Sequence, residues 1–217
     1  MAIPEVTRAQ LDALALERGR PLLAVDADEV LVHFMRHFRD FAAGRGWRLD
    51  PAAGRLDRAL VHVEAGHMAD LPTGLALIDG FFDTHAHEQV AIAGAAEALA
   101  ELAGRAQVVV LTNLPHAARA ARVANLAGHG IPFPVVTNSG GKGPALAEMA
   151  RRVAAPVAFV DDSSQQIESA AKDAPDVLRL QLIGCPYAAG AIRRSDAAQG
   201  HAGDWSEGRR WLTEALG

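Results

Sequence analysis

Short, continuously apolar segments alternate with helical segments over the second half of the chain. From residue 94 onward the order is AAEALAELAG, QVVVLTN, PHAARAARVANLAGHG, FPVVT, KGPALAEMARRV, VAFVDD, SSQQIESAAKD and VLRLQLI. The short segments lack the apolar–polar alternation of strands with one solvated face, so we expect helices to cover both faces. The pattern therefore predicts a parallel sheet in an α/β, Rossmann-like three-layer sandwich, with VLRLQLI as its last strand.

The first half of the chain begins in the same way and then becomes less regular. Thr7 is expected to cap a helix that ends at Gly19, and the apolar strand LLAV follows. Residues 30–44 have apolar side chains at helical spacing, and RLDRALVHVEAGHM and TGLALIDGFF are also interpreted as helical. We predict a small helical cap over residues 36–90, inserted after the first strand. Residues 1–35 and 91–217 would form the core, and a closing helix would pack Trp211 and Leu212 on it.

The composition limits which partners and which cellular compartment are expected for the protein. The 217 residues include 21 basic and 26 acidic side chains without a basic block, so no nucleic-acid partner is expected. No apolar run approaches the roughly 18–20 residues that span a bilayer, so no membrane partner is expected either. The single Cys185 cannot form an internal disulfide. These features predict a cytoplasmic protein, and they leave small anionic substrates open.

Polar residues follow three of the predicted strands at the point where each strand ends. Ligands bind beyond the carboxyl ends of the strands in open parallel sheets, so these residues are expected to converge on one site. A lysine begins the helix between the last two of these strands and is expected to join them. The set consists of Asp26 and Asp28 after LLAV, Thr112 and Asn113 after VVVL, Lys142, and Asp161 and Asp162 after VAFV.

The residue types in this set are suited to phosphoryl transfer. Four carboxylates at one sheet edge repel each other and demand a cation, and their hard oxygens favour Mg²⁺. A lysine and a threonine hydroxyl can hold phosphoryl oxygens. A carboxylate can then attack phosphorus, and a second carboxyl two residues later can protonate the leaving oxygen and afterwards activate water.

The four segments LLAVDADEV, VVVLTN, the Lys142 region and VAFVDD resemble the motifs of the haloacid-dehalogenase-like hydrolases, and the resemblance covers residues 21–183. It implies a Rossmann-like core with an inserted cap and a magnesium-dependent reaction through an aspartyl-phosphate. Asp26 would be the nucleophile and a metal ligand, and Asp28 the general acid/base that offers its backbone carbonyl to the metal. The remaining roles would be phosphate binding by Thr112, Asn113 and Lys142, and completion of the metal site by Asp161 and Asp162.

Two features qualify this resemblance. The position after the second aspartate is commonly glycine in the superfamily, but here it is Glu29, so the sharp exit from the strand needs an explanation. The presence of Asp28 argues against dehalogenation, because dehalogenases of the superfamily lack that acid. The cap resembles the small cap of 5′-nucleotidase-like members. Phe81 and Phe82 of this chain resemble the deoxyribonucleotidases among them, in which aromatic side chains can stack on a base.

The sequence contains other motifs that resemble functional sites. Gly140–Gly143 does not fit a phosphate-binding P-loop, because the required first glycine and final Ser/Thr are absent. The order of the acidic residues excludes a receiver-type signalling domain. His33 and His37 can share a helix face, but the sequence shows no third metal ligand, and His116 is a candidate for the edge of the site.

Two function classes therefore remain. The first is a magnesium-dependent phosphomonoesterase acting on a small phosphorylated metabolite, such as a nucleotide or a sugar phosphate. The second is a non-catalytic or weakly active relative that binds phosphate, metal or a protein partner.

Overall fold

The chain forms nine α-helices and eight β-strands within residues 2–50, 59–190 and 192–217, which are the residues that the computed structural model describes. In chain order the elements are α1 (Glu5–Asp12), β1 (Leu22–Val25), α2 (Met35–Ala43), β2 (Trp47–Leu49), β3 (Leu60–His62), α3 (Leu71–His85), α4 (Ala95–Leu102), β4 (Gln107–Thr112), α5 (Arg119–Gly128), β5 (Val135–Thr137), α6 (Gly143–Val153), β6 (Val157–Asp161), α7 (Ser164–Asp173), β7 (Leu178–Leu182), α8 (Pro186–Ala189), β8 (Gly200–Ala202) and α9 (Trp205–Leu216).

Six of the strands form a parallel sheet in the order β5-β4-β1-β6-β7-β8. The strand β1 lies in the middle, where Val25 pairs with Val110 on one side and Val160 on the other. Successive side chains of β1 enter different apolar clusters: Leu23 packs with α4 and α9, and Leu22 packs with α6 and α7. Both faces of the sheet are therefore covered, which confirms the Rossmann-like sandwich predicted from the continuously apolar strands.

The two ends of the core differ from the sequence prediction. Thr7 is not a cap but lies inside α1, where its hydroxyl donates to the carbonyl oxygen of Thr137 at 2.9 Å. The helix ends at Asp12 rather than at Gly19. A further strand, β8, follows β7, so VLRLQLI is not the last strand. The three residues of β8 contain no apolar run from which a strand could be predicted. The prediction for the closing helix is confirmed, since Leu212 is buried and Trp211 packs against the same cluster.

The region predicted as a helical cap contains a β-hairpin. The strands β2 and β3 are antiparallel, with Trp47 opposite His62 and Leu49 opposite Leu60. The helical interpretation of RLDRALVHVEAGHM is therefore wrong at β3, and its residues 55–58 lie outside the described ranges. The helix expected over residues 30–44 begins only at Met35, because the preceding residues form a turn.

Helical structure is confirmed for TGLALIDGFF, which lies in α3. The side chain of Asp70 caps this helix by accepting from the backbone N–H of Thr73 at 2.9 Å. A separate hydrophobic cluster joins α2, α3 and the hairpin, and its ring contacts connect Phe34, Phe38, Phe41, Phe81 and Phe82. None of the helices in the described ranges is long and apolar enough to cross a bilayer.

Two connecting segments run side by side between this cluster and the sheet. Val32 forms an antiparallel bridge with Ala91. On either side of it, the N–H of His33 donates to the carbonyl oxygen of Val90 at 2.9 Å, and the N–H of Ile92 donates to that of Leu31 at 2.8 Å. We call residues 31–33 and 90–92 the paired linkers. The cap boundaries at residues 36 and 90 remain a prediction.

Candidate active site

The carboxyl ends of three neighbouring strands bring the predicted residues together. Asp26 directly follows β1, while Thr112 ends β4 and Asp161 ends β6, on the two sides of β1. The N–H of Asp26 continues the ladder by donating to the carbonyl oxygen of Val160 at 2.9 Å. All three side chains are largely buried, with 6%, 0% and 1% of their residues' surface exposed. The sheet order thus places residues separated by more than a hundred positions around one point.

Lys142 lies in the middle of this group. It is buried, and its Nζ donates to Asp26 Oδ1 at 2.5 Å and to Asp161 Oδ2 at 2.6 Å. Burial alone would lower the pKa of Lys142, but the carboxylates of Asp161 and Asp26 outweigh it and raise the pKa above its ordinary value. The lysine is therefore a fixed cation between the two carboxylates.

The position of Lys142 depends on the packing of α6 against α7. The next residue, Gly143, allows this approach, because a Cβ there would lie 2.2 Å from the carbonyl oxygen of Ser169. The side chain of Gln166 accepts from the backbone N–H of Lys142 at 2.9 Å and fixes the same helix end. The short distance between the two helices thus determines where the ammonium group lies.

Three carboxyl groups form a cluster beside this lysine. Carboxylate oxygens of Asp26, Asp161 and Asp162 lie within 4.8 Å of one another. Burial raises the pKa of Asp161 and Asp162, and the neighbouring carboxylates raise both further. One lysine does not balance three carboxylates, and hard oxygen donors at this spacing are the ligand type that Mg²⁺ prefers. The residues present therefore fit a magnesium ion.

The carboxylate of Asp162 is better placed for a metal than that of Asp161. Both oxygens of Asp161 already accept hydrogen bonds, one from Lys142 Nζ and the other from the backbone N–H of Ser163 at 2.9 Å. Lys142 makes its two bonds to Asp26 and Asp161, so it does not neutralise Asp162 directly. This geometry favours Asp162 as a direct ligand, a choice that the sequence left open.

Thr112 and Asn113 differ in what their side chains can offer a ligand. The Oγ1 of Thr112 is buried and has no hydrogen-bond partner in the described part of the chain. Asn113 instead donates to the carbonyl oxygen of Gly140 at 2.7 Å and accepts from Asn138 at 2.9 Å. The threonine hydroxyl is therefore free for a bound oxygen, whereas the Asn113 amide fixes the loop that precedes Lys142.

Asp28 is held by a network that the sequence did not reveal. Its Oδ1 accepts from Arg122 Nη2 at 2.7 Å and from Gln89 Nε2 at 3.0 Å. Arg122 is fully buried and also donates to Gln89 Oε1 at 2.7 Å. Burial raises the pKa of Asp28, and the Arg122 guanidinium opposes this increase. One sequence signal was available: Arg122 precedes Leu126 by four residues, on the buried face of α5.

Glu29 takes the backbone conformation that a glycine would favour. Its φ is 62°, in the left-handed region that costs a non-glycine residue roughly 1–2 kcal/mol. The side chain offsets this cost, because Oε1 accepts from the backbone N–H groups of Phe34 at 2.8 Å and Met35 at 2.5 Å. Glu29 therefore keeps the sharp exit from β1 and also caps the start of α2.

A cavity of about 750 Å³ opens onto the cluster. Its wall contains both charged or polar residues and apolar residues. The polar residues of its described lining include Asp26, Asp28, Glu29, Thr112, Asn113, Lys142, Asp161 and Asp162, and the apolar residues include Phe34, Met35, Ile78, Phe82 and Ile192. The candidate His116 is not among the described lining residues, and its ring hydrogen-bonds to Thr137 Oγ1 at 2.6 Å.

No family model and no curated protein matches the sequence. Solved structures do match the fold. A haloacid-dehalogenase-like family hydrolase from Streptococcus pneumoniae has a TM-score of 0.63 at 13% identity, over 89% of this chain and 98% of that one. A Thermotoga maritima protein assigned as a β-phosphoglucomutase has a TM-score of 0.59 at 17% identity, over 90% and 100%. The L-2-haloacid dehalogenase from Xanthobacter autotrophicus, with chloropropionic acid covalently bound, has a TM-score of 0.57 at 14% identity, over 88% and 98%. The chain therefore has the fold of the haloacid-dehalogenase-like hydrolases, as the resemblance of its motifs implied.

Proposed function

We propose that the protein is a magnesium-dependent phosphomonoesterase that forms an aspartyl-phosphate at Asp26. One observation carries this proposal: the Asp26 carboxylate, the buried Lys142 ammonium and the Thr112 hydroxyl line the same cavity, and the hydroxyl has no hydrogen-bond partner in the described ranges. The first is a nucleophile, and the other two are donors for phosphoryl oxygens. A phosphate ester uses all three groups at once.

The charge balance of the site supports an anionic substrate together with a metal. Mg²⁺ would be held by Asp26 and Asp162 and by the backbone carbonyl of Asp28, with Asp161 completing the acidic cluster. When bound, it supplies positive charge that offsets the repulsion between carboxylates and phosphate. Lys142 holds Asp26 in place, and Thr112 donates its hydroxyl proton to a phosphoryl oxygen.

The proton transfers are assigned to Asp28. As Asp26 attacks phosphorus, the bond from phosphorus to the ester oxygen breaks, and protonated Asp28 gives its proton to that oxygen. Asp28 then takes a proton from the water that attacks the aspartyl-phosphate, which releases phosphate and restores the Asp26 carboxylate. Arg122 and Gln89 hold the Asp28 carboxylate in one orientation throughout.

The apolar wall of the cavity narrows the substrate class. Phe34, Ile78 and Phe82, from the region of α2 and α3, line the same cavity as the polar cluster. A small ester whose organic part has an apolar or flat face, such as a nucleotide, would bury that face on this wall. A sugar phosphate offers less apolar surface and would gain less from the contact.

One observation favours the alternative of a weakly active phosphate-binding protein. The Arg122 guanidinium opposes the rise that burial causes in the pKa of Asp28, and it thereby favours the ionised form, which cannot protonate a leaving group. An ester with a poor leaving group depends most on this proton. Slow turnover of alkyl phosphates combined with good turnover of aryl phosphates would therefore be the mark of this alternative.

The test is Mg²⁺-dependent release of phosphate from an aryl phosphate, followed by a panel of sugar phosphates, nucleotides and phospho-acids. We expect Asp26→Asn to abolish release and the exposed-site control Asp176→Asn to retain it. Beryllium fluoride should form its adduct on Asp26. A wild-type protein that binds Mg²⁺ but hydrolyses no ester would refute the enzymatic proposal, and an adduct on another side chain would refute the nucleophile.

A further inference from the structure

A second group of metal-ligating side chains lies at the exit from β1, outside the carboxylate cluster. It consists of Glu29, His33 and Cys185, whose ligand atoms all lie within 4.8 Å of one another. Glu29 belongs to the turn after β1, and His33 belongs to the first of the paired linkers. Cys185 belongs to the loop after β7 and is only 1% exposed. The fold therefore brings together a carboxylate, an imidazole and a thiol from segments about 150 residues apart.

Two of these side chains each have one buried polar atom that is poorly satisfied within the described part of the chain. Glu29 is 4% exposed, and its Oε1 caps α2. The Cys185 thiol, a weak donor, lies beside the same carboxylate and hydrogen-bonds to it, and among the described residues Oε2 has no stronger donor. The Nδ1 of His33 is also buried and, within the same described ranges, lacks a partner. A buried polar atom without a partner costs about 1–3 kcal/mol, so two poorly satisfied atoms at one point require an explanation. A bound ion satisfies both at once.

We propose that Glu29, His33 and Cys185 form a binding site for a transition-metal ion of the zinc class, distinct from the magnesium site. Sulfur, nitrogen and oxygen donors together suit Zn²⁺ or Co²⁺, whereas Mg²⁺ takes oxygen ligands only. Three protein ligands leave a fourth position for water. Ligand atoms in a tetrahedral zinc site are about 3.3–3.8 Å apart, so small side-chain movements close the present spacing around the ion.

The location explains how an ion enters and what it connects. Glu29 lines the active-site cavity, so the site is reached from that side. His33 is the residue whose N–H pairs with Val90 between the paired linkers, and Cys185 is fixed in the core. A bound ion would therefore join the first linker to the core directly. The proposal does not depend on the reaction at Asp26.

The test uses Co²⁺ as a spectroscopic substitute for zinc in the untagged, chelator-treated protein. Excess Mg²⁺ occupies the carboxylate cluster and contributes no colour. We expect one equivalent of Co²⁺ to bind with a thiolate-to-cobalt charge-transfer band in the near ultraviolet, and Zn²⁺ to remove this band. Because the sequence contains a single cysteine, such a band identifies Cys185 even without a variant.

Variants assign the other ligands. Cys185→Ser and His33→Gln should abolish the band. Glu29→Gln, which retains an oxygen to cap α2, should weaken Co²⁺ binding by at least about tenfold, since losing even an outer-shell partner costs that much. His37→Gln, one helical turn further on, should leave the band unchanged. Absence of the band in the wild-type protein, or its persistence in Cys185→Ser, would overturn the proposal.

Discussion

The buried ion pair between Arg122 and Asp28 allows a sharp prediction. Replacing Arg122 by Met preserves most of the side-chain volume but leaves the Asp28 carboxylate with Gln89 as its remaining donor in this network. Arg122 is fully buried, and the Asp28 side chain is 17% exposed, so water only partly replaces the lost bond. Removing one partner of a buried ion pair lowers the free energy of unfolding by about 3–5 kcal/mol. Because the Asp28 side chain is partly exposed, we expect a loss near the lower value.

A loss of about 3 kcal/mol lowers the melting temperature of a chain this long by roughly 6–12 °C. The loss should also depend on pH. Burial raises the pKa of Asp28 above its ordinary 3.8, and removing Arg122 raises it further. A group with a raised pKa contributes stability that is complete below about pH 4 and is lost as the pH rises through the folded value. The difference in melting temperature between Arg122→Met and the wild type should therefore be largest at neutral pH and small below about pH 4.

The assay is thermal unfolding followed by circular dichroism across this pH range. The double variant Arg122→Met/Asp28→Asn removes the unpaired charge, and its free energy of unfolding should be within about 1 kcal/mol of the wild-type value. The control Arg151→Met breaks an exposed helical ion pair with Glu148 and should not change the melting temperature measurably. An unchanged melting temperature in Arg122→Met at neutral pH, or no recovery in the double variant, would refute the reasoning.

Four further outcomes follow from the same geometry. Thr112→Val should lower kcat/KM for an aryl phosphate roughly 10- to 100-fold without loss of melting temperature, because its hydroxyl has no partner among the described residues. Lys142→Met should abolish turnover and should make the melting temperature fall steeply as pH rises, because Asp26 and Asp161 lose their common cation. Glu29→Gly should lower the melting temperature although it relieves the left-handed backbone, since two hydrogen bonds to the start of α2 are worth more than the roughly 1–2 kcal/mol of strain. Burial raises the pKa of Asp161 and Asp162 from 3.8, so their contribution to stability is lost as pH rises, and Mg²⁺ should raise the melting temperature more at about pH 8 than at about pH 5. Equal magnesium effects at both pH values would contradict this account.

The placement of the central elements was predictable because local pattern and burial agree there. The strands β1, β4 and β6 are covered on both faces, so their apolar runs are continuous and easily recognised. The hairpin β2–β3 was missed, because its three-residue strands form a small sheet separate from the central one and do not need the apolar run of a core strand. The strand β8 was missed for a related reason, because Gly200 and His201 are not residues that predict a strand. The glycine is required by the packing of Trp211, since a Cβ at Gly200 would lie 2.5 Å from that side chain.

The candidate site was also predicted only in part from the sequence. From the sequence alone, Asp26, Thr112, Lys142 and Asp161 were expected to converge, because the carboxyl ends of parallel strands share one sheet edge. The sequence also identified Glu29 as an unusual residue but could not say how its backbone is accommodated. His33 and His37 were candidate metal ligands, but the sequence did not show a third ligand near them.

The tertiary structure alone supplied the partners of these residues. The contact of Asp28 with Arg122 joins residues 94 positions apart, and that of Glu29 and His33 with Cys185 joins segments still further apart. Such contacts depend on helix and loop packing above the sheet edge, for which no periodic pattern in the sequence exists. The sequence thus determined which chemical groups end the strands, because strand burial is a local property. Only the folded chain determined which groups neutralise, orient or bind them, because that depends on distances between segments remote in sequence.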